Sequence, residues 1–139
     1  MDKERVLTKI DELDSYRREL DEILPESYED YASSTETKRA CERLIHVMIE
    51  TLIDTSALIV KELKLGLPGE EDDIFLKLEK RNIITAGMLT KLKRMKGFRN
   101  ILVHRYSEID DELVFGFLKR NLSDFEIYKK QILAYLKRS

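Results

Sequence analysis

Proline and glycine are scarce in this chain, at two and five residues of 139. With so few turn formers and abundant Leu, Ile, Glu and Lys, the composition reads as all-α. Cys41 is the single cysteine, which excludes an intrachain disulfide and suits a small buried hydrophobe in a helix. No apolar run approaches the roughly 20 residues that cross a bilayer. The opening Met-Asp-Lys-Glu-Arg has no apolar signal core after it, so a cytoplasmic protein is expected. Excess positive charge is also missing: the net charge is −2, and no global basic field is available to hold nucleic acid. No His, Cys or Asp cluster has metal-ligand spacing, and there is no Gly-rich phosphate loop, so neither a metal nor a cofactor is expected. Amides are few as well, which with many charges is a weak mark of a thermophilic source.

What remains is apolar and charged in nearly equal measure, 42% against 37%. The length suits one domain over 1–139 with a real core. Helix one is expected over 2–23, with Val6, Ile10, Leu13, Leu20 and Leu24 on one stripe, and Pro25 ends it. Residues 25–34 read as a connecting loop with Tyr28 and Tyr31 as anchors. A second helix starts at Ser34 or Thr35 and runs to about Leu65, stopped by Gly66, Pro68 and Gly69. It is apolar over more than half its circumference, as in a central helix or one that also meets a partner subunit. A short helix follows at 73–81, a fourth at 86–103 and a fifth at 110–137. The expected architecture is an up-and-down bundle of four main helices plus a short one.

The fourth helix ends in Gly97-Phe98-Arg99-Asn100-Ile101-Leu102-Val103-His104-Arg105-Tyr106. Met88, Leu92, Met95, Arg99 and Leu102 are spaced by 4, 3, 4 and 3 residues, so Arg99 falls within the apolar seam. An unpaired charge there costs several kcal/mol, and Asp54 on the second helix is a candidate partner. Asn100 and His104 are neighbours on the adjoining flank. Residues 91–105 carry Lys91, Lys93, Arg94, Lys96, Arg99 and Arg105 and no acid, which reads equally as a solvated face or as a phosphate-attracting patch. A guanidinium grips two phosphate oxygens and an imidazole moves a proton near neutral pH. The pair could cleave RNA without a metal, using the 2′-hydroxyl as nucleophile. One chain offers one histidine here, whereas acid–base cleavage needs two proton-transfer groups. A two-fold dimer would supply a second Arg99 and a second His104. Residue chemistry alone leaves a structural polar cluster and a phosphate site as equal readings.

The extended run resembles the HepT-like branch of the HEPN superfamily. The Arg-x4-His-x-Tyr pattern is complete, with a polar residue after the arginine and Ile109-Asp110 following. Ile53-Asp54, the Leu-Gly-Leu-Pro segment at 65–68 and the Ile83-Ile84 step also match. The resemblance implies a homodimeric HEPN bundle with both motifs at one cleft. It further implies a metal-independent endoribonuclease toxin, neutralised by a minimal nucleotidyltransferase (MNT) antitoxin that transfers AMP to the motif tyrosine. Arg99 and His104 would then be catalytic, Asn100 and Asp54 supporting, and Tyr106 the AMP acceptor. Lys93, Lys96 and Arg105 would contact RNA phosphates. Arg105 stands where many relatives have a small residue. The alternative is a non-catalytic, nucleotide-binding partner subunit of a nucleotidyltransferase.

Overall fold

A computed structural model describes residues 1–104 and 109–139. Every regular element among them is a helix, in the order α1 (Lys3–Ile23), α2 (Tyr28–Ser33), α3 (Thr35–Glu62), α4 (Glu71–Lys80), α5 (Ala86–His104), α6 (Asp111–Arg120) and α7 (Ser123–Arg138). The all-α expectation holds.

The centre of the molecule is α3. Ile45, Met48, Ile49, Leu52 and Ile59 are fully buried, because α1, α2, α4, α5 and α6 all pack on it. Its apolar circumference is therefore largely covered within one chain, and its breadth is no argument for a dimer. Its start is capped by the Ser34 hydroxyl, which accepts from the Thr37 N–H at 3.1 Å. Its end comes earlier than the glycines at 66 and 69 suggest. Lys64 takes the left-handed conformation (φ 53°), and the Leu65 N–H reaches back to the Val60 carbonyl at 3.1 Å. That closing turn usually uses glycine.

Two segments differ from the expected elements. The loop at 25–34 holds the six-residue helix α2, capped by the Ser27 hydroxyl on the Asp30 N–H at 3.1 Å. It is short but anchored, since Tyr31 is fully buried with its ring 5.3 Å from that of Phe115. The expected last helix is two helices, α6 and α7. At the break the Leu122 carbonyl accepts from the Phe125 N–H at 3.1 Å and from Arg17 of α1 at 2.9 Å. Asn121 closes α6 and donates from Nδ2 to Asp124 at 3.3 Å. The apolar period runs on through the break, which hides it from a pattern reading.

Outer helices are tied to the core by paired polar groups. The Ser56 and Tyr128 hydroxyls lie 2.8 Å apart in a fully buried contact between α3 and α7. Lys129 pairs with Asp14 at 2.7 Å, joining α7 to α1. Lys38 near the start of α3 pairs with Asp111, the first residue of α6, at 3.1 Å. This last pair places the start of α6 at the N-terminal end of α3.

Candidate active site at the end of α5

Helix α5 buries Met88, Leu92, Met95, Phe98 and Leu102. On a wheel at about 100° per residue, Arg99 falls inside that arc, and its side chain is only 12% exposed. Such a charge must be neutralised where it sits. Glu50 of α3 accepts from Nη1 at 2.7 Å. Glu71, the first residue of α4, accepts from Nη1 at 3.2 Å and again from Nη2. Asn100 accepts from Nε at 3.1 Å through its side-chain oxygen. Bonds to Glu71, then to Glu50, raise the Arg99 pKa above its ordinary value against the opposing effect of burial.

Four of the five guanidinium N–H groups are thereby used. The Nη1/Nη2 end is fixed by two carboxylates. The Nε/Nη2 edge is closed only by the neutral Asn100 amide and keeps one free Nη2 hydrogen. An incoming phosphate that displaced Asn100 would meet two parallel N–H donors on that edge, the fork geometry that suits an oxyanion. Glu50 and Glu71 thus aim the arginine as well as neutralise it.

Asp54 does not take this part. It lies one turn beyond Glu50 on α3 and is exposed, and the carboxylates on Arg99 are Glu50 and Glu71. The pairing expected for Asp54 is therefore corrected to Glu50. Glu71 was hidden in an acidic segment, 28 residues before the arginine it serves. His46, one turn before Glu50, places Nε2 3.5 Å from the Glu50 Oε1 atom that also accepts from Arg99. His46 and Glu50, at i, i+4 on one face of α3, thus meet the Arg99 guanidinium arriving from α5, and that spacing was visible in the sequence.

His104 ends α5 and is exposed, as is Asn100 one turn before it. Both sit on the flank beside Arg99, as the spacing predicts. Of the cations assigned to phosphate contacts, Lys93 is exposed, whereas Lys96 is engaged with Asp72 at 2.8 Å. Arg105 and Tyr106 lie outside the described residues. Among the described residues, no three His, Cys, Asp or Glu side chains gather as a metal-holding group, and no helix is long and apolar enough to cross a membrane.

An all-α bundle that presents an aimed arginine and an exposed histidine on one helix end has clear relatives. Residues 13–132 match the family described as Ribonuclease HepT-like, and the chain belongs to that family. It is 31% identical over 129 residues to the tRNA nuclease HepT of Aphanizomenon flos-aquae, covering 93% of this chain and 88% of that protein. It is 38% identical over 85 residues to the mRNA nuclease HepT of Shewanella oneidensis, covering 61% and 64% respectively. The tri-AMPylated HEPN toxin of Shewanella oneidensis, solved in complex with its MNT antitoxin, superposes with a TM-score of 0.85 at 26% identity. That match covers 93% of this chain and 96% of the toxin chain. The HEPN-type bundle expected from the motif is the fold observed.

Proposed function

We propose that this protein is a metal-independent endoribonuclease toxin. The observation that carries the reading is the Arg99 constellation. Two carboxylates hold one end of the guanidinium, the Asn100 amide covers the other edge, and His104 stands exposed on the same flank. Arg99 would bind the scissile phosphate and stabilise charge in the pentacoordinate transition state, while His104 transfers a proton. The chemistry needs a second proton-transfer group. A homodimer that brings two copies of this helix end to one cleft supplies it from the second His104. The named relatives, a tRNA nuclease and an mRNA nuclease, support RNA as the substrate class.

The regulatory part follows the similar toxin that is AMPylated and bound to an MNT antitoxin. A cognate nucleotidyltransferase would add AMP to Tyr106, two residues from His104, and the added phosphate would occupy the anion site. Lys93 and Arg105 would contribute phosphate contacts. Lys96 would do so only after leaving Asp72.

The decisive experiment is RNA cleavage by the purified protein in EDTA. Cleavage is expected to persist, and His104→Ala and Arg99→Ala are expected to abolish it. Loss of activity in the chelator, restored by a divalent ion, refutes the metal-free mechanism. A second reading, a non-catalytic partner subunit of a nucleotidyltransferase, is favoured by one feature: four of the five Arg99 N–H groups already have partners. It predicts no cleavage by the free protein and tight association with the transferase.

A further inference from the structure

The chain has two histidines, and the ribonuclease reading gives work to one of them. The other, His46, stands on α3 one turn before Glu50. Its Nε2 atom lies 3.5 Å from Oε1 of Glu50, the oxygen that also accepts from Arg99 Nη1 at 2.7 Å. Among the described residues its side chain has no other polar partner. It is 29% exposed, so core packing does not account for it. Support for α3 is a poor account as well, because a helix pair with the acid on the C-terminal side of the base is the less stabilising order.

The position of His46 relative to the clamp is informative. Helix α5 runs antiparallel to α3, since Arg99 meets Glu50 and Asp111, beyond the end of α5, meets Lys38. At about 1.5 Å per residue, His46 lies roughly 6 Å from Glu50 toward the start of α3, and His104 lies roughly 7.5 Å from Arg99 in the same direction. His46 is therefore on the side of the clamp from which the His104 flank receives a phosphate.

Glu50 needs such a neighbour. An anion arriving at the Nε/Nη2 edge of Arg99 adds a third negative charge beside Glu50 and Glu71. Glu50 is the more exposed of the two carboxylates, at 40% against 33%, and repulsion would push it toward water. Arg99 would then rest on Glu71 alone, at the very start of α4. A donor on the shared Oε1 atom opposes that movement. The imidazole can supply it, because an N–H facing a carboxylate is favoured over a bare ring nitrogen. The 3.5 Å separation is at the outer limit of hydrogen-bond reach, and contacts of this kind tighten as substrate binds.

We propose that His46 is a positioning residue, which holds Glu50 on Arg99 while the scissile phosphate binds and so keeps the Nε/Nη2 edge of the guanidinium turned toward it. The reaction it serves rests on the ribonuclease reading; the imidazole–carboxylate–guanidinium contact does not.

Two readouts on the full-length protein keep these apart. The NMR signal of the Arg99 Nε–H reports how firmly the guanidinium is held, whether or not RNA is cut. It is expected to exchange with water roughly 10-fold faster in His46→Leu and His46→Ala than in the wild type, and to recover in His46→Gln, whose amide N–H has a similar reach. Turnover at saturating RNA is expected to fall roughly 10-fold in the leucine and alanine variants with KM changed less than about twofold, and to recover in His46→Gln. In a Glu50→Gln background, His46→Leu should remove less than about a further twofold, because its route of action is already gone. Melting temperatures matched to the wild type show that the variants are folded. An unchanged Arg99 signal in both apolar variants overturns the assignment, as does a failure of His46→Gln to restore it. Losses that multiply with Glu50→Gln also overturn it, since His46 would then act on RNA directly. If the wild type cuts no RNA while the Arg99 signal follows the expected pattern, the ribonuclease reading fails and the positioning contact stands.

Discussion

Replacing Arg99 with alanine separates what the arginine does for the fold from what it does for chemistry. Its side chain is 12% exposed and is held by side chains from α3 and α4. Removal deletes these bonds and leaves Glu50 and Glu71 close together without their shared cation. Breaking a fully buried pair costs about 3–5 kcal/mol, whereas an exposed pair is worth about 0–1. The Glu50 and Glu71 side chains are 40% and 33% exposed, so water screens much of their repulsion, and a cost of about 2 kcal/mol is expected. At this chain length that lowers the melting temperature by roughly 4–8 °C. His104→Ala should change stability by no more than about 0.5 kcal/mol, because the side chain is exposed. Adding Glu50→Gln and Glu71→Gln to Arg99→Ala should recover about half the loss by removing the stranded charges. Thermal and denaturant melts read all four proteins. If Arg99→Ala is as harmless as His104→Ala, or if the glutamines recover nothing, the carboxylate clamp does not hold the arginine as described.

Two further predictions concern the core. Burial, and then the nearby Glu42 carboxylate, push the Cys41 thiol up from about 9 to about 11. The folded state thus favours the neutral thiol, and stability is lost as pH rises from about 9 toward 11, while an unfolded chain would ionise. Denaturant melts across that range should show a shallower decline for Cys41→Val, and thiol reagents should label the native protein only as fast as it opens. Tyr128→Phe removes the buried hydroxyl bonded to Ser56 but leaves Ser56 bonded to the Leu52 carbonyl at 2.9 Å. It should cost about 1 kcal/mol, and a loss above about 3 kcal/mol in the melt would show that the ring packing had changed too.

Much of the fold was legible because helix pattern and caps agree. The stripe from Val6 to Leu20 and the Ser34 cap are local facts, and the structure keeps them. The break between α6 and α7 was not legible. Leu113, Val114, Phe117, Leu118, Leu122 and Phe125 keep a helical period straight through it, and the group that stabilises it, Arg17, is 105 residues away. The short helix α2 was missed for the same reason, since its stability comes from burying Tyr31 and not from its length. At the candidate site, Arg99, Asn100 and His104 were readable because they share one helix. The carboxylates were not. Asp54 and Glu50 are one turn apart on α3, and periodicity cannot say which of them meets a side chain arriving from α5. Glu71 is placed by the course of the 63–70 segment, which has no periodic pattern to follow.

The clamp also bears on how a site this rich in acid could take a phosphate. One guanidinium beside two glutamates carries a net negative charge, so long-range attraction to Arg99 alone is not the driving force. Around α5, taking about 100° per residue, Asn100 lies between Arg99 and His104, and Gly97, Ile101 and Arg94 continue the same arc. A strand approaching along this arc would meet the uncommitted cation Arg94 first, and Arg99 last, through the edge that Asn100 covers. The acids would then work at short range only, turning the guanidinium so that its Nε/Nη2 edge faces the strand and not the core. This arrangement makes orientation, rather than charge, the contribution of Glu50 and Glu71. It therefore predicts that Glu71→Gln slows turnover at saturating RNA more than it alters binding. If removing that negative charge instead tightens binding and leaves turnover unchanged, the carboxylates act as simple repulsion and the orienting role is refuted.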